Sequence, residues 1–228
     1  MAISTDPEVR DLTVALDRAG VEVDGSSRAR AEYSSDASLY RVVPRAVAFP
    51  RDADDVEAAL SISRSLGIPL TARGAGTSIA GNAVGPGLIL DFSRYMNRVL
   101  AVDEEAGTAT VQPGVVLDTL QSATAPHGLR YGPDPSTHNR CTLGGILGNN
   151  ACGNRSLGYG RPSDSVLALD VLTGQGERLV ARAGLRGEDS ENVRALSELT
   201  SRNLALFRTE LGRFGRQVSG YSLEHLLP

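Results

Sequence analysis

The most informative part of this sequence is residues 133–161, which read PDPSTHNRCTLGGILGNNACGNRSLGYGR and which we call the second loop. It is rich in Gly and Asn, poor in charge, and contains both cysteines of the chain. A related stretch, residues 72–87, reads ARGAGTSIAGNAVGPG and is called the first loop. Glycine lets the backbone adopt left-handed turns and approach another group closely. We therefore expect the two loops to close on one ligand, with the rest of the chain as their scaffold.

The composition is that of a folded domain and excludes several functions. The 228 residues are 41% hydrophobic and 22% charged, and the net charge of −4 does not favour nucleic acid or an anionic membrane as a partner. All 23 basic residues are Arg, which excludes a P-loop lysine and a Schiff-base lysine. Two Cys do not make a disulfide framework, and no apolar run reaches the roughly 18 residues of a transmembrane segment. The sequence thus predicts a cytoplasmic protein, which a partner could still hold at a membrane.

Outside the two loops, the hydrophobic pattern alternates helices and strands. A helix opened by Asp6 and Pro7 and ended by Gly20 comes first. A strand, a helix and a strand follow over residues 45–72; Asp52 caps the helix, and its predicted apolar face is Val56, Leu60, Ile62 and Leu66. The later predictions are a buried strand, a hairpin, a short helix, a second hairpin and a long amphipathic helix stopped by Gly212, at residues 87–92, 99–113, 115–125, 165–181 and 191–211.

These elements predict an α+β fold in three segments. Residues 1–43 form a helical and irregular segment, residues 44–182 a domain of two α+β lobes, and residues 183–228 a helical segment. The last residues, LEHLLP, continue an apolar pattern without closing it. We therefore expect a truncated N-terminal part of a larger protein.

The first loop has the residue types of an anion-binding loop. After a predicted strand it places Gly74 and Gly76, which let backbone N–H groups converge on an anion, and Thr77 and Ser78, which add hydroxyl donors. This pattern predicts a pyrophosphate site, although a glycine-rich turn without a ligand would have the same spacing. The loop is not of the Rossmann type, because no helix follows to place its N-terminus under the pyrophosphate. Asp91, at the end of a later strand, is therefore not expected to bind a ribose.

The second loop adds groups that suit a polar heterocycle or a sugar chain. Gly144 and Gly145 can bring backbone close to a ligand, and the turn after them can present a helix N-terminus. Asn149 and Asn150 supply amide donors and acceptors. A purely structural turn would not need so many of these groups together, so the loop is typical of a nucleotide site.

Together these motifs resemble the FAD-binding, PCMH-type domain of the FAD-linked oxidase family, typified by vanillyl-alcohol oxidase, D-lactate dehydrogenase and the glycolate oxidase D subunit. The resemblance rests on RAVAFPRDADDVEAAL, RGAGTSIAGN and residues 133–177, in that order, and covers about residues 30–228. The form CTLGGILGNNACGNRSLGYG is most similar to the large 2-hydroxy-acid dehydrogenases. The resemblance implies two lobes with FAD between them.

The resemblance also implies a set of FAD-binding residues. The first loop would hold the pyrophosphate, the PDP segment would lie beside the flavin, the second loop would surround the pyrophosphate and ribityl chain, and the residues after it would form a turn and a backbone contact to the adenosine part. In that order the residues are Arg73, Gly74, Ala75, Gly76, Thr77, Ser78, Gly81 and Asn82; Pro133, Asp134 and Ser136; Thr142, Gly144, Gly145, Asn149, Ala151 and Gly153; and Tyr159, Gly160 and Val166.

One position departs from the relatives that bind flavin covalently. Those relatives have a His in the first loop, whereas this chain has Thr77, so we expect non-covalent FAD. Cys152 is interpreted as a small buried residue rather than a covalent tether. His138 lies in the PDP segment and could approach the flavin, but a lone His is more often structural. No spacing of His and Cys indicates a metal site.

The resemblance implies oxidation of a D-2-hydroxy acid such as lactate, glycolate or 2-hydroxyglutarate. A base takes the hydroxyl proton and the α-hydrogen passes as hydride to the flavin. A quinone, a cytochrome, an electron-transfer flavoprotein or an iron–sulfur partner then accepts the electrons. The catalytic base is expected in a later substrate domain, so this chain should bind FAD without turning over substrate. Two alternatives stay open: an NADPH-dependent reductase of the UDP-N-acetylenolpyruvoylglucosamine type, and a non-catalytic flavin-binding subunit.

Overall fold

A four-stranded sheet organises the first part of the computed structural model, which describes residues 7–211. Its order is β1-β2-β4-β3, and its strands are β1 (Val23–Asp24), β2 (Ala46–Ala48), β3 (Leu70–Arg73) and β4 (Leu88–Asp91). Strands β2 and β3 run parallel to β4, whereas β1 is antiparallel to β2. The ends of β3 and β4 therefore lie side by side, with Arg73 paired to Asp91. The three strands that the sequence predicts in this region are confirmed.

Helices cover both faces of this sheet. They are α1 (Pro7–Arg18), α2 (Ser27–Glu32) and α3 (Ala53–Ser65), and the side chain of Asp52 caps α3 as predicted. Alternate strand residues point to opposite faces. One face packs with α1 and α3 in a core that includes Leu12, Leu16, Ala46, Ala59, Leu88 and Leu90. The other packs with α2 in a core of Ala29, Val47, Phe49 and Ile89. Burial on both faces explains why β2 and β4 read as continuous apolar runs.

The predicted apolar face of α3 is only partly correct. The buried residues of this helix are Ala59 and Ser63, while Leu60 is half-buried and Leu66 is 42% exposed. Two small side chains at the centre of the contact let the helix approach the sheet closely. The larger apolar residues then pack at the edges of that contact. A face predicted from their spacing is therefore rotated slightly from the face that contacts the sheet.

A second core lies in the region between residues 99 and 151. Around it are β5 (Val99–Asp103), β6 (Thr108–Val111) and α4 (Leu117–Thr124), which confirm the predicted hairpin and short helix. The second loop contains two short helices, α5 (Leu143–Asn149) and α6 (Ser156–Tyr159). The sequence analysis expected a helix N-terminus at the turn after Gly145, but it did not predict α6. The buried residues of this core are Val115, Leu117, Leu120, Cys141, Leu143 and Ile146.

The chain divides into two compact units, Met1–Val166 and Leu167–Pro228. In the second unit, β7 (Ala168–Leu172) and β8 (Arg178–Arg182) form the predicted hairpin. In the turn between them, the N–H group of Thr173 donates to the carbonyl of Glu177 at 2.9 Å.

The single long helix predicted over residues 191–211 is wrong. The structure has α7 (Glu191–Arg202) and α8 (Leu204–Glu210) instead. Asn203 separates them, because both its backbone N–H and its side-chain amide donate to the carbonyl of Leu199 and so close the end of α7. The predicted stop at Gly212 and the apolar tail lie outside the described residues. Among the helices of residues 7–211, none is long and apolar enough to cross a membrane.

Candidate functional site

The first loop leaves the carboxyl end of β3 and carries a row of free backbone donors. Within residues 7–211, the N–H groups from Gly74 through Ile79 donate no hydrogen bond. Ser78 fixes the bend that follows, because its hydroxyl accepts from the N–H groups of Ala80 and Asn82 at 3.2 and 3.3 Å. Consecutive unpaired N–H groups form a concavity that attracts anions. Unpaired donors of this kind are what a pyrophosphate site needs.

Arg73, the last residue of β3, turns its guanidinium into the protein. Its Nη1 donates to the carbonyls of Ser35 and Ala83, each at 3.0 Å. The guanidinium carbon also lies 5.0 Å from the centre of the Tyr33 ring. The Arg73 side chain is therefore bound by Tyr33 and Ser35, which precede the first loop in the chain, and by Ala83 within it.

The start of α5 in the second loop uses its backbone donors within the protein. The N–H groups of Leu143 and Gly144 donate to the carbonyls of Val115 and Pro113, both at 2.8 Å. The N–H of Gly145 donates to the hydroxyl of its N-cap, Thr142, at 3.4 Å. A Cβ on Gly144 would lie 3.0 Å from the carbonyl oxygen of Pro113. The close approach that this glycine permits is thus an approach to the protein's own backbone.

The two loops meet, as the sequence predicts. Gly74 lies against Thr142, so closely that a Cβ at position 74 would collide with the threonine hydroxyl. The side-chain amide of Asn82 donates to Oδ1 of Asn149 at 3.0 Å, and the amide of Asn149 donates to the carbonyl of Gly145 at 3.1 Å. These contacts place the row of free donors next to the second loop.

The PDP segment is held by the far end of the second loop. A Cβ on Gly153 would collide with the carbonyl oxygen of Asp134. The Asp134 carboxylate forms an ion pair with Arg155 at 3.1 Å, and Arg130 lies 3.8 Å from the same oxygen. Pro133 is buried, and Ser136 after it is exposed.

The remaining predicted FAD-binding residues differ in exposure. Ala75 and Tyr159 are exposed, and the half-buried ones are Thr77, Gly81, Ala151, Gly160 and Val166. Asn150 has a left-handed backbone, with φ 46°, and its Oδ1 accepts from the N–H of Ser163 at 3.1 Å. That amide oxygen therefore serves the fold of the second loop.

Several titratable groups near the loops have partners elsewhere. His138 lies 2.8 Å from the carboxylate of Asp118, at the surface. The Asp91 carboxylate is buried and accepts from the Tyr33 hydroxyl at 2.5 Å and from Ser93, which agrees with the rejection of a Rossmann-type ribose contact. Cys152 donates to the carbonyl of Asn150 at 3.4 Å. Burial raises the pKa of the Cys141 thiol.

Two features of the site were missed by sequence reasoning. Residues 33–42, which we call the strap, contact the first loop through Arg73, Asp36 and Tyr40. The strap has no periodic pattern, and its polar, irregular composition gave no signal. The second feature is the buried hydroxyl of Tyr131, which has no hydrogen-bond partner in the part of the chain that the structure describes.

Two solved structures share the fold. An alkyldihydroxyacetonephosphate synthase matches with a TM-score of 0.67 and 24% identity, over 81% of this chain and 40% of that chain. A carbohydrate oxidase from Microdochium nivale matches with a TM-score of 0.67 and 22% identity, over 78% of this chain and 38% of that chain. These similarities confirm the predicted fold class.

The family model described as an FAD binding domain matches residues 44–182, so the chain belongs to this family and its cofactor is FAD. D-2-hydroxyglutarate dehydrogenase of Pseudomonas putida is 34% identical over 218 residues, which are 90% of this chain and 22% of the relative. Glycolate oxidase subunit GlcD of Bacillus subtilis is 40% identical over 157 residues, 68% of this chain and 33% of the relative. The chain thus spans about a fifth to a third of the length of these relatives.

The residues present fit FAD. The first loop supplies unpaired N–H groups for a pyrophosphate, and the second loop closes beside them, with no room for a side chain at Gly74 or Gly153. Exposed amides at Asn82 and Asn149 suit the polar parts of a dinucleotide.

Proposed function

We propose that this chain is the FAD-binding part of an oxidoreductase that oxidises a D-2-hydroxy acid. The support is the similarity to a D-2-hydroxyglutarate dehydrogenase and to a glycolate oxidase subunit, whose names share a small 2-hydroxy acid as substrate. Bound FAD supplies the acceptor for the hydride of the substrate carbon. The protein residues bind and orient the cofactor.

The row of free N–H groups from Gly74 through Ile79 is the observation that carries the proposal. It lies at the carboxyl end of a parallel strand, which is where α/β sheets bind ligands. We assign the pyrophosphate to this row and the flavin side to the PDP segment. The full proposed set is Arg73, Gly74, Ala75, Gly76, Thr77, Ser78, Gly81, Asn82, Pro133, Asp134, Ser136, Thr142, Gly144, Gly145, Asn149, Ala151, Gly153, Tyr159, Gly160 and Val166.

The proposal includes non-covalent attachment of FAD. Thr77 has no nucleophilic nitrogen, and both described histidines contact carboxylates, His127 that of Glu104 at 3.0 Å and His138 that of Asp118 at 2.8 Å. Acid precipitation should therefore leave all FAD in the supernatant. Yellow colour that stays with the denatured polypeptide would contradict this part of the proposal.

The first experiment is a binding titration of the purified chain with FAD, FMN and riboflavin, read by flavin fluorescence. A pyrophosphate site predicts that FAD binds at least about tenfold more tightly than riboflavin, because only FAD carries a pyrophosphate. A chain that is folded by circular dichroism but does not retain FAD through gel filtration would overturn the proposal.

The substrate class is tested in the longest natural polypeptide that contains this sequence. That protein, loaded with FAD under anaerobic conditions, is mixed with D-2-hydroxyglutarate, D-lactate or glycolate. Bleaching of the flavin absorption by one of these acids supports the proposed reaction, and a panel of quinone, cytochrome and electron-transfer flavoprotein then identifies the acceptor. Bleaching by NADPH alone would favour a reductase of the same fold.

A further inference from the structure

Apart from the contact through Arg73, the strap contacts the first loop at three separate points. The N–H of Ala37 donates to the carbonyl of Gly76 at 3.0 Å. The Tyr40 ring lies against Gly81, where a Cβ would be 2.6 Å from the ring. Oδ2 of Asp36 accepts from the N–H of Ala83 at 3.3 Å. The contacts fall within and just after the row of free donors, so the strap fixes the course of the loop without using the donors themselves.

Arg73 connects the strap, the first loop and the sheet. Its guanidinium bonds the carbonyl of Ser35 in the strap and the carbonyl of Ala83 in the first loop. It also lies under Gly76, whose φ of 66° is in the left-handed region, and a Cβ there would lie 2.5 Å from Nη2 of Arg73. One planar group thus links the strap to Gly76, within the donor row, and to Ala83, after it.

Tyr33 anchors this arrangement to the sheet. Its hydroxyl donates to the buried carboxylate of Asp91 at 2.5 Å, and its ring carries the Arg73 guanidinium on one side and Phe49 in an edge contact at 6.1 Å. Burial and then the hydrogen bond to Asp91 raise the pKa of Tyr33, so the hydroxyl remains a donor. The ends of β3 and β4 are therefore tied together through Tyr33 and Arg73.

Asp36 is the acidic residue of the strap. Partial burial raises its pKa, but hydrogen bonds from Ser38 and Ala83 and the charge of Arg73 outweigh burial and leave the pKa below its usual value. The carboxylate is thus charged at neutral pH, where it accepts from the N–H of both Ser38 and Ala83.

We propose that Tyr33, Asp36 and Arg73 are positioning residues that hold the first loop in its pyrophosphate-binding shape, and so set the affinity for FAD. Tyr33 and Asp36 lie before residues 44–182, the range of the family match. This inference rests on the proposed function, in which the first loop binds the pyrophosphate.

The physical reason is preorganisation. A loop that adopts its binding shape for only a tenth of the time binds its ligand with a tenfold higher apparent Kd. Free N–H groups cannot hold a loop in place themselves, because their partner is the ligand. The fixing contacts must therefore come from other atoms, and in this structure they come from the strap and Arg73.

The test uses the whole chain with three probes: FAD, ADP and riboflavin. ADP carries the pyrophosphate without a flavin, and riboflavin carries the flavin ring without a phosphate. Tyr33→Phe, Asp36→Asn and Arg73→Lys should each raise the Kd for FAD and for ADP by about tenfold while changing the Kd for riboflavin less than twofold. This difference between probes separates positioning from general destabilisation, which would weaken all three.

Arg51→Lys is the matched control. Arg51 also lies over a tyrosine ring, Tyr95 at 5.5 Å, and bonds a backbone carbonyl, that of Gly20, but none of its contacts involves the first loop. It should leave all three Kd values unchanged. Hydrogen exchange of the FAD-free variants gives a second measurement that does not need binding: Arg73→Lys should speed exchange in residues 33–42 and 80–83 but not in α3.

The outcomes separate the two proposals. If the wild-type chain is folded and binds neither FAD nor ADP, the proposed function fails and the inference fails with it. If the wild type binds FAD, but the three variants lose no more affinity than Arg51→Lys or lose affinity equally for riboflavin, the positioning role is wrong and the proposed function stands.

Discussion

In the first loop the backbone N–H groups from Gly74 through Ile79 have no acceptor among residues 7–211, whereas in the second loop those of Leu143, Gly144 and Gly145 all donate within the protein. Both loops are rich in glycine, and both read as ligand-binding loops in the sequence. The first uses glycine to leave donors free, and the second uses it to let backbone segments touch.

This difference indicates that the first loop contributes to ligand binding and the second loop to the stability of the fold. The first loop is held by the strap and by the side chain of Arg73, and its N–H groups from Gly74 through Ile79 remain available among residues 7–211. The second loop is held by its own contacts, the Thr142 cap and the contact of Gly153 with Asp134, and by the carbonyls of Pro113 and Val115, which use up the donors at the start of α5. We therefore expect changes in the first loop to act mainly on ligand affinity and changes in the second to act mainly on stability.

The largest expected effect comes from a negative charge in the first loop. Thr77→Asp should weaken FAD binding by about 3 kcal/mol, more than a hundredfold in Kd, because a carboxylate repels the pyrophosphate at close range. Thr77→Asn is the control, because Asn has the shape of Asp without its charge, and its Kd for FAD should rise less than about tenfold. Asn149→Asp places the same charge in the second loop and should also lose less than about tenfold. Equal losses for Thr77→Asp and Asn149→Asp, measured by fluorescence titration, would break the distinction between the loops.

A methyl group in the tightest contact of the second loop should act on stability. Gly153→Ala pushes against the Asp134 carbonyl and should lower the free energy of unfolding by about 2 kcal/mol. Gly148→Ala is the matched control, since Gly148 lies in α5 with open space around it and should gain up to about 1 kcal/mol. Urea unfolding followed by circular dichroism gives both values. A Gly153→Ala protein as stable as Gly148→Ala would show that this contact is not close in solution.

Removing the Tyr131 hydroxyl should stabilise the second core. Tyr131→Phe deletes a buried group without a partner among the described residues and should raise the free energy of unfolding by about 1 kcal/mol. Tyr33→Phe is the opposite control, because it removes a hydroxyl that donates to Asp91. A loss of stability in Tyr131→Phe would mean that the hydroxyl has a partner in solution.

The same residue gives a pH dependence with a defined sign. Burial, and then the nearby Cys141 and Cys152, raise the pKa of Tyr131 to about 12. A folded pKa above the unfolded value of about 10 gives stability that is present below pH 10 and is lost as the pH rises toward 12. Urea unfolding at alkaline pH should show this loss in the wild type and less of it in Tyr131→Phe.

The smallest expected effect is at the contact between the loops. A double-mutant cycle of Asn82→Ala and Asn149→Ala should give a coupling of about 0.5 kcal/mol, because the hydrogen bond between the two amides is exposed. Asn97→Ala, which removes an exposed amide that donates to the carbonyls of Ser93 and Arg94, controls for the loss of an asparagine. A coupling of zero would mean that the loops meet through Gly74 and Thr142 alone.

Regular elements and their periods were predictable from the sequence. The buried strands β2 and β4 and both hairpins follow from apolar runs and turn residues, and Asp52 follows from helix capping chemistry. The errors arose where a contact with another part of the structure overrode the local pattern. Asn203 reads as a helix residue, but its amide ends α7 by bonding Leu199. The apolar face of α3 was predicted to include Leu60 and Leu66, but the fully buried apolar residue against the sheet is the smaller Ala59.

The sequence alone determined the family and its cofactor, and it supplied the proposed set of FAD-binding residues, because glycine and asparagine patterns depend on local backbone geometry and are visible without knowledge of the fold. Only the tertiary structure decided which of the two loops keeps its donors free. That depends on acceptors distant in the chain, such as the carbonyls of Pro113 and Val115 for α5. It depends equally on the strap, whose residues have no periodic pattern in the sequence. They contact the first loop because Arg73, at the end of β3, bonds the carbonyl of Ser35 and packs on Tyr33.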